Sequence, residues 1–414
     1  GSQPREMAAS SQGYSGSATS TGNISRDWAA GIGKAWTLDS ISPVRGEHDE
    51  VTTLVDGTTL YVAATNSTRE GLDVAAVDIS GSQPQVIWDS SNPNVIRDSY
   101  RLNLRMASIG DRLIVGNSTV DKATGEVQEA PWVDDAPLTV AGDVLVTCSG
   151  AETCTGWTWE SSEWKQQWKS ITSLQEERHG IWEMRDAPVV GSGDDMSVLA
   201  PVADRRTLQL INVRTGTVTT LGEKVQLDPT SYRRDVFVAS DGVAVVADRD
   251  QAQFFDTSGA LVDSFQVARY LNEIVRGGQA PTLEELQTYL KTGRTPWATG
   301  TVEVSGRKCE DVTVSTTSGG SSRIVHDAKG LAIGSGERCT PDVTEVRMST
   351  DGAAVYIVNG GHVQSDHVYF LDTEGDVVHE DMALTSADQL MWAFDDLVIA
   401  ISKGQVTAFT PASA

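Results

Sequence analysis

The sequence predicts an all-β protein, an eight-bladed β-propeller that is closed by an N-terminal strand and carries a small helical insertion. Three observations predict this fold: a recurring hairpin, the length of its repeat and an incomplete last unit. The clearest copy of the hairpin runs from Val368 to Glu380, with Asp372–Gly375 as its turn. In such a turn the Asp side chain accepts hydrogen bonds from the backbone N–H groups ahead of it, and Gly adopts a positive φ without steric cost.

The turn glycines recur with a period of roughly 44 residues, a length typical of propeller blades built from strands. The interval between Gly125 and Gly216 is about double, and a degenerate copy at Trp157–Trp168 fills it. Each unit also has an earlier hairpin, as in Val51–Val62, where Asp-Gly stands between two alternating runs. One four-stranded sheet cannot cover both of its faces alone, so the units should pack face to face around an axis. The predicted blades are 51–90, 102–133, 138–170, 186–223, 235–267, 299–340 and 343–382.

The last unit supplies only three strands, Gln389–Phe394, Leu397–Ser402 and Gln405–Thr410. A fourth strand is available near the N-terminus, at Lys34–Leu38. Pairing the two ends of the chain closes the ring and removes two unpaired sheet edges. The sequence therefore predicts eight blades, or seven if 299–340 is an insertion.

Composition divides the chain into a linker at 1–27, the propeller at 28–410 and a short tail at 411–414. The first of these is rich in Ser, Gly, Thr and Gln and nearly free of apolar residues, which is typical of a flexible linker. It contains no signal peptide and no membrane span. We expect either a tether that follows an upstream signal or transmembrane segment, or an ordinary frayed terminus.

Residues 267–293 interrupt the strand pattern and predict two helices. The first is predicted at Ala268–Val275 and ends at a Gly-Gly pair. The second has Thr282 as its N-cap and Glu285 completing a capping box, and it ends at Gly293. The insertion is a natural place for a partner to dock.

Three leucines of the second predicted helix, Leu283, Leu286 and Leu290, fall on one face at helical spacing. Such a stripe packs on the parent domain or docks a partner, and the three leucines are therefore candidate partner-binding residues. If the insertion is a separate docking element, deleting 268–292 should leave the fold intact and weaken partner binding. Trp182 is a further candidate, because it lies with charged residues in a predicted inter-blade connection at the channel top, where propellers bind ligands.

The chain has 414 residues and a formal net charge of −25. Binding a nucleic-acid backbone needs clusters of basic residues that displace counterions, so this charge argues against nucleic acid as a partner. It equally disfavours an anionic membrane surface. The charge indicates a soluble acidic exterior, with an acidic docking face for a basic partner or for cations as the alternative.

Four cysteines indicate disulfides and an oxidising compartment. Cys148 and Cys154 flank the loop of a predicted hairpin, and Cys309 and Cys339 lie within one predicted blade. Both pairs can reach disulfide geometry without long-range rearrangement, although four cysteines allow three connectivities. Neither pair has the spacing of metal ligands.

Tryptophans and histidines are the other candidate site residues. Three histidines lie within one predicted blade near Asp366, but a metal site requires them to converge, and surface histidines are the favoured interpretation. The histidines are His362, His367 and His379. Four tryptophans should fall on outer strands of consecutive blades, where inter-blade packing explains them better than ligand stacking does. The tryptophans are Trp36, Trp88, Trp132 and Trp168. No catalytic residue and no metal ligand is predicted.

The repeat resembles the PQQ-like repeat of quinoprotein-dehydrogenase-type propellers. Val120–Val127 followed by Trp132 is the copy most similar to it, and the resemblance covers most of 34–410. The resemblance implies either a quinoprotein enzyme or a non-catalytic binding or assembly module of the cell envelope, such as the outer-membrane assembly scaffold lipoprotein. Many of the enzymes have two adjacent cysteines near the cofactor, and here no two cysteines are adjacent. Nor is there a recognisable set of Glu, Asn and Asp to hold Ca²⁺ against a quinone.

We therefore expect an extracytoplasmic, non-catalytic propeller, secreted or anchored at the cell surface, that binds a protein or glycan partner as a monomer. It should need no cofactor. The alternative is a quinoprotein-type dehydrogenase that uses PQQ and Ca²⁺ at an unrecognised channel site. A lyase or glycosidase is a weaker alternative, because no pair of carboxylates stands out among the 57 acidic residues.

Overall fold

The protein is an eight-bladed β-propeller, as predicted, and its computed structural model contains eight four-stranded antiparallel sheets. Strands are numbered β1–β32 in chain order, and blades are numbered one to eight from the first sheet whose strands are consecutive. First strands of neighbouring blades contact one another, so they line the centre of the ring. The structure describes residues 23–46, 48–66, 71–93, 106–132, 135–149, 153–171, 189–200, 208–222, 234–247, 251–267, 274–276, 281–293, 297–307, 309–317, 322–326, 343–359, 367–372, 377–378, 389–402 and 404–412.

Blades one to four each use four consecutive strands. Blade one contains β2 (His48–Asp56), β3 (Thr59–Asn66), β4 (Leu72–Asp78) and β5 (Gln85–Asn92). Blade two contains β6 (Met106–Ile109), β7 (Arg112–Val115), β8 (Ser118–Asp121) and β9 (Val127–Glu129). Blade three contains β10 (Asp135–Ala141), β11 (Val144–Ser149), β12 (Thr153–Glu160) and β13 (Glu163–Ile171). Blade four contains β14 (Val189–Val190), β15 (Ser197–Ala200), β16 (Gln209–Asn212) and β17 (Val218–Thr220).

Blades five to eight complete the ring, and the only α-helix of the described residues, α1 (Leu283–Thr292), lies within blade six. Blade five contains β18 (Arg234–Ala239), β19 (Gly242–Ala247), β20 (Gln251–Asp256) and β21 (Leu261–Gln266). Blade six contains β22 (Ile274–Arg276), β23 (Ala298–Ser305), β24 (Asp311–Thr316) and β25 (Ser322–Val325). Blade seven contains β26 (Val343–Met348), β27 (Val355–Asn359), β28 (His367–Leu371) and β29 (Val377–Val378). Blade eight contains β30 (Gln389–Phe394), β31 (Leu397–Ser402), β32 (Gln405–Pro411) and β1 (Ile32–Leu38).

The ring is closed by the N-terminal strand, as predicted. β1 pairs antiparallel with β32, and Thr37 lies opposite Thr407 and Leu38 opposite Val406. This pairing gives blade eight its fourth, outermost strand and covers the edge of β32. The alternative of seven blades is wrong, because 299–340 supplies three strands of blade six.

Four of the recurring turns have the predicted side-chain chemistry, whereas residues 373–375 and 327–330 of two others lie outside the described residues. Asp121 Oδ1 accepts hydrogen bonds from the backbone N–H groups of Ala123 at 2.8 Å and Thr124 at 3.2 Å. Gly125 then adopts a φ of +78°. The same side-chain-to-backbone pattern recurs at three other turns, which begin at Asp78, Asn212 and Asp256.

Turn glycines are also docking points between blades. The indole N–H of Trp88 donates to the carbonyl of Lys122 in the next blade at 2.7 Å, and a Cβ added to Gly125 would meet the Trp88 ring at 2.7 Å. Trp168 donates in the same way to Val213 of blade four at 2.8 Å. The predicted role of these two tryptophans as inter-blade anchors is therefore confirmed.

The other two tryptophans of the predicted set also pack between blades, as predicted. Trp36 lies on β1 and is buried in a cluster shared by blades eight and one. Trp132, predicted on an outer strand, follows β9 instead and donates to the carbonyl of Gly116 in its own blade at 3.2 Å. Its ring contacts Trp157 and Trp164 of blade three, so it still packs between blades.

The helical insertion differs from its prediction at its first half. Ile274 and Val275, predicted as the end of a helix, belong to β22 and pair with Thr301 and Gly300. The insertion therefore lies inside blade six, between its first and second strands. β-branched residues with a partner strand available favour the extended conformation, which explains the difference.

The predicted linker ends earlier than residue 27. The backbone N–H of Ile24 donates to the carbonyl of Met348 in blade seven at 3.1 Å. That of Ser25 donates to the carbonyl of Asp395 in blade eight at 3.0 Å. Residues 23–27 thus belong to the propeller and join neighbouring blades, while the rest of the predicted linker lies outside the described residues.

The turn carboxylates predict that stability falls in acid. A hydrogen bond from the Ser80 hydroxyl lowers the pKa of Asp78, one from Ser258 lowers the pKa of Asp256, and the backbone N–H of Ala123 lowers the pKa of Asp121. Groups whose pKa is lowered by folding stabilise the fold above their unfolded pKa, and this contribution is lost as the pH falls through the folded pKa.

The test replaces all three aspartates by asparagine, which keeps the oxygen acceptor and removes the titration. We expect the thermal midpoint of the wild type to fall between about pH 5 and about pH 2, and the midpoint of the triple variant to fall less. Equal pH dependence in the two proteins would show that these turns do not contribute to it.

Candidate functional site

Blade six differs from the other blades in the burial of its two middle strands. Buried and accessible residues alternate along β23 and β24: Val302 and Val304 are buried, whereas Glu303 between them is exposed. Middle strands elsewhere contain runs of consecutive buried residues, such as 60–65 in β3 and 397–401 in β31. Consecutive burial requires cover on both faces of a sheet, and alternation indicates cover on one face only.

The covered face of blade six is apolar and packs against blade seven. Val302, Val312 and Val314 of blade six share one hydrophobic cluster with Ile357 and Leu371 of blade seven. These side chains are all within 1% of complete burial. This face is an ordinary inter-blade contact.

The other face of blade six, hereafter the open face, is polar and accessible to solvent. Its cross-strand rows follow from the register of the sheet, because residues directly opposite each other share a face. They are Thr301–Ser315–Ser322, Glu303–Thr313–Ile324 and Ser305–Asp311–His326, where Asp311 Oδ1 lies 3.1 Å from His326 Nδ1. Glu303, Ile324 and His326 are exposed, and Ile324 retains 54% of its accessible surface.

Helix α1 explains why this face lacks a cover. A propeller blade normally covers its neighbour, but here Leu286 and Leu290 of α1 pack in a cluster with Ala244, Ala252 and Phe254 of blade five. The helix thus takes the place on blade five that the neighbouring sheet would occupy. Blade five is buried by α1, and the facing side of blade six remains accessible.

Local sequence fixes the helix in this place. Thr282 Oγ1 accepts from the backbone N–H of Glu285 at 3.1 Å, and the Glu285 carboxylate accepts from the backbone N–H of Thr282 at 3.1 Å. Gly293 ends the helix with a φ of +75°. The backbone N–H of Leu283 donates to the carboxylate of Asp241 at 2.8 Å, which ties the helix start to blade five. The predicted second helix and its capping box are therefore confirmed.

The end of the helix is held by a charged side chain. Lys291 Nζ lies 3.8 Å from the carboxylate of Asp263 and 4.6 Å from the ring centre of Phe265, both on β21. Beside it, Tyr289 contacts the indole of Trp297 edge to face at 6.3 Å between ring centres. The Trp297 indole N–H is buried and has no hydrogen-bond partner among the residues that the structure describes.

The three leucines predicted as partner-binding residues are core residues instead. Leu283 is 6% exposed, and Leu286 and Leu290 are completely buried. Packing on blade five removes these apolar side chains from water, so a partner cannot reach them. Deleting 268–292 would remove β22 and uncover blade five, which contradicts the expectation that the fold survives this deletion.

The polar side of α1 remains accessible. Glu284 and Lys291 are exposed, and Gln287 is half-buried. The helix therefore offers a partner its charged residues and not its leucines.

The structure describes three of the four cysteines that were predicted to form disulfides. Cys148 and Cys154 form a disulfide between directly opposed strand positions, with a Cα–Cα distance of 4.1 Å. Cys309 is also disulfide-bonded, and Cys339 lies outside the described residues. Trp182 lies outside them as well, so its role stays a prediction.

Histidine convergence also stays untested. His367 begins β28, and His362, His379 and Asp366 lie outside the described residues. Among the residues that the structure describes, no three His, Cys, Asp or Glu side chains could hold a metal ion together. None of the described helices is long and apolar enough to cross a membrane.

Two further polar clusters lie between blades and have structural explanations. Lys122 Nζ lies 3.0 Å from Asp56 Oδ2, and Ser108 Oγ donates to the same oxygen at 2.6 Å. Burial acts to raise the pKa of Asp56, but the Ser108 hydrogen bond and the Lys122 charge outweigh it and lower the pKa. Burial and the Asp56 charge raise the pKa of the neighbouring Tyr61 to about 12. These groups join blade one to blade two.

The second cluster lies on the central wall. Arg347 donates to Glu345 at 2.6 Å on β26, and its guanidinium lies 5.6 Å from the ring centre of Trp392 on β30. The Arg347 guanidinium is therefore engaged by groups of the protein itself. The open face of blade six, in contrast, presents groups that the described residues leave accessible, and it is the candidate functional site.

No protein-family model and no curated protein matches this chain. Among solved structures, BamB from Moraxella catarrhalis is 17% identical over 92% of this chain and 99% of that chain, with a TM-score of 0.44. Sqt1 from Saccharomyces cerevisiae is 10% identical over 91% of this chain and 98% of that one, with a TM-score of 0.45. Sqt1 from Chaetomium thermophilum bound to the N-terminus of the ribosomal protein L10 is 11% identical over 86% and 94%, with a TM-score of 0.43. These likenesses concern the fold and carry no information on function.

Proposed function

We propose that this protein is an extracytoplasmic, non-catalytic propeller that binds a protein partner through the open face of blade six. The observation that carries the proposal is the alternation of burial in β23 and β24. Where the structure describes them, the middle strands of the other blades contain consecutive buried residues, so the same burial would be expected in the middle strands of blade six. Leaving one polar face accessible is explained if a partner occupies it.

The compartment and the repeat type are parts of the same proposal. The Cys148–Cys154 disulfide supports an oxidising environment, since disulfides persist mainly in secreted and envelope proteins. The Asp-to-Gly turns with tryptophans docked on them support a PQQ-like repeat. The proposed scaffold acts as a monomer and requires no cofactor.

The binding proposal is tested with a blocked open face. Thr313→Arg places a long charged side chain in the middle of that face, and Gln166→Arg places the same side chain on the exposed β13 of blade three as a control. We expect the wild type and the control to capture the same proteins from an extracytoplasmic extract of the producing cells. The blocked variant should lose at least one of them, identified by mass spectrometry.

Capture that is equal in all three proteins would contradict the proposed site. A thermal unfolding curve of each variant accompanies the experiment, because a folded Thr313→Arg protein is required for its loss of capture to count. Thr313 is partly exposed on a sheet face, so the substitution should leave the fold intact.

The compartment is tested by the redox state of the cysteines in intact cells. Differential alkylation followed by mass spectrometry should find Cys148 and Cys154 protected as a disulfide. Free thiols at both positions would contradict an extracytoplasmic location.

A further inference from the structure

We infer that the occupant of the open face is a cationic polypeptide segment, which places a Lys or Arg side chain against Glu303. This inference rests on the proposed function and adds the chemistry of the partner. The open face carries one exposed carboxylate at its centre, that of Glu303. The side chains around Glu303 determine whether a positive or a negative partner group is favoured there.

Glu303 is unusual in its position. It lies on the second strand from the ring centre, where the other blades bury their residues, and yet it is exposed. It forms no ion pair with any residue that the structure describes. Hydroxyl side chains surround it, with Thr301 and Ser305 on the same strand and Thr313 directly opposite. These neighbours supply hydrogen-bonding groups and no compensating positive charge.

The charged side chains in the three rows of the open face are those of Glu303, Asp311 and His326. Asp311 is hydrogen-bonded to His326, so Glu303 is the carboxylate that remains without a described partner on this face. The one lysine of the helix, Lys291, is engaged with Asp263 and the Phe265 ring. An anionic partner would meet like charges here, whereas an ammonium or guanidinium would form a charge-assisted hydrogen bond with Glu303.

Ile324 adds an apolar contact to the same row. It lies two strands away from Glu303, roughly 10 Å at the usual strand spacing, with Thr313 between them. Lys and Arg combine a charged head with an apolar stem. A segment that carries them can therefore place the charge against Glu303 and apolar surface against Ile324. A polypeptide therefore fits the row better than a sugar does, since the described side chains of the open face include no aromatic ring on which a sugar could stack.

The inference is tested with a library of random 12-residue peptides that is displayed on phage and selected on the wild type. Selected peptides are synthesised, and their Kd values are measured by fluorescence anisotropy against wild type, Thr313→Arg, Glu303→Lys and Glu129→Lys. Glu129 is an exposed strand glutamate of blade two and serves as the matched control. We expect enrichment of Lys and Arg, a loss of affinity of about tenfold or more in Glu303→Lys, and little change in Glu129→Lys.

The other outcomes separate this inference from the proposed function. Peptides that bind at the open face without basic residues, and that tolerate Glu303→Lys, would overturn the cationic partner and leave the binding face in place. Peptides whose binding survives Thr313→Arg would overturn the face itself. An oligosaccharide panel that binds wild type but not Thr313→Arg, or a dimer in sedimentation that this substitution dissociates, would overturn the inference in favour of a sugar or a second copy.

Discussion

Replacing Trp28 with alanine should lower the free energy of unfolding by about 3–5 kcal/mol, the usual cost of removing a buried tryptophan. Trp28 is 1% exposed and lies in the 3₁₀ turn Arg26–Ala30 just before the closing strand β1. Its ring stacks on Phe370 of blade seven at 4.5 Å between centres, and its indole N–H donates to the carbonyl of Asp395 in blade eight at 2.8 Å. The alanine variant would leave a cavity between these two blades.

Two controls separate packing from hydrogen bonding in this prediction. Trp28→Phe keeps an aromatic ring and loses only the hydrogen bond and part of the volume, so its cost should be smaller, nearer about 1–2 kcal/mol. Ile171→Ala removes a side chain that is 77% exposed and should be nearly neutral. Chemical denaturation followed by tryptophan fluorescence measures all three variants, and a neutral Trp28→Ala would show that Trp28 does not hold the ring closed.

Replacing Leu286 with alanine should cost about 2–5 kcal/mol, because this leucine is completely buried between α1 and blade five. The sequence alone gave the same residue a second possible role, in which it faces a partner and its loss would leave stability unchanged. The two roles therefore predict opposite results for one substitution.

Glu284→Ala is the control for the leucine variant, since Glu284 lies in the first turn of the same helix and is exposed. Its cost should stay below about 1 kcal/mol, the size of a favourable charge at a helix N-terminus. Thermal unfolding compares the two variants with the wild type. If Leu286→Ala unfolds with the wild type, α1 does not cover blade five and the explanation of the open face fails.

The parts of the fold that could be predicted are those set by local chemistry. An Asp followed by a Gly a few residues later, as at Asp121 and Gly125, favours a turn by its own local chemistry. The repetition of this pattern along the chain predicted the blades. Closure by Lys34–Leu38 was also predictable. The last blade lacked one strand in the sequence, and Lys34–Leu38 was the one predicted strand that belonged to no other blade. The boundaries of helix α1 were predictable for the same reason. Its start is set by the capping box of Thr282 and Glu285, and its end by the positive φ of Gly293.

Other features depend on contacts between distant residues. Ile274 and Val275 continue a sequence with helical character, and only their pairing with β23 makes them a strand. Residues 23–27 have the composition of a linker, and only their bonds to blades seven and eight make them part of the ring. Leu286 is compatible with a core or an interface, and which of them applies depends on where the helix folds back.

The open face has a signal in the sequence that is separate from the repeat. Polar and apolar residues alternate strictly from 300 to 305 and from 311 to 315, a pattern that predicts a sheet with one face buried and one accessible. Blade strands elsewhere have longer apolar runs, as in Leu397–Ile401. Searching each repeat for this difference would have identified Glu303 and Thr313 as site candidates.

Solvent accessibility of the open face can be measured directly by cysteine labelling. Thr313→Cys and Val314→Cys place a thiol on adjacent residues of β24 that point to opposite faces of blade six. We expect a maleimide reagent to label the folded Thr313→Cys protein rapidly and to leave Val314→Cys unlabelled until it unfolds. Slow labelling at both positions would mean that blade six is covered on both faces, and it would contradict the proposed binding site.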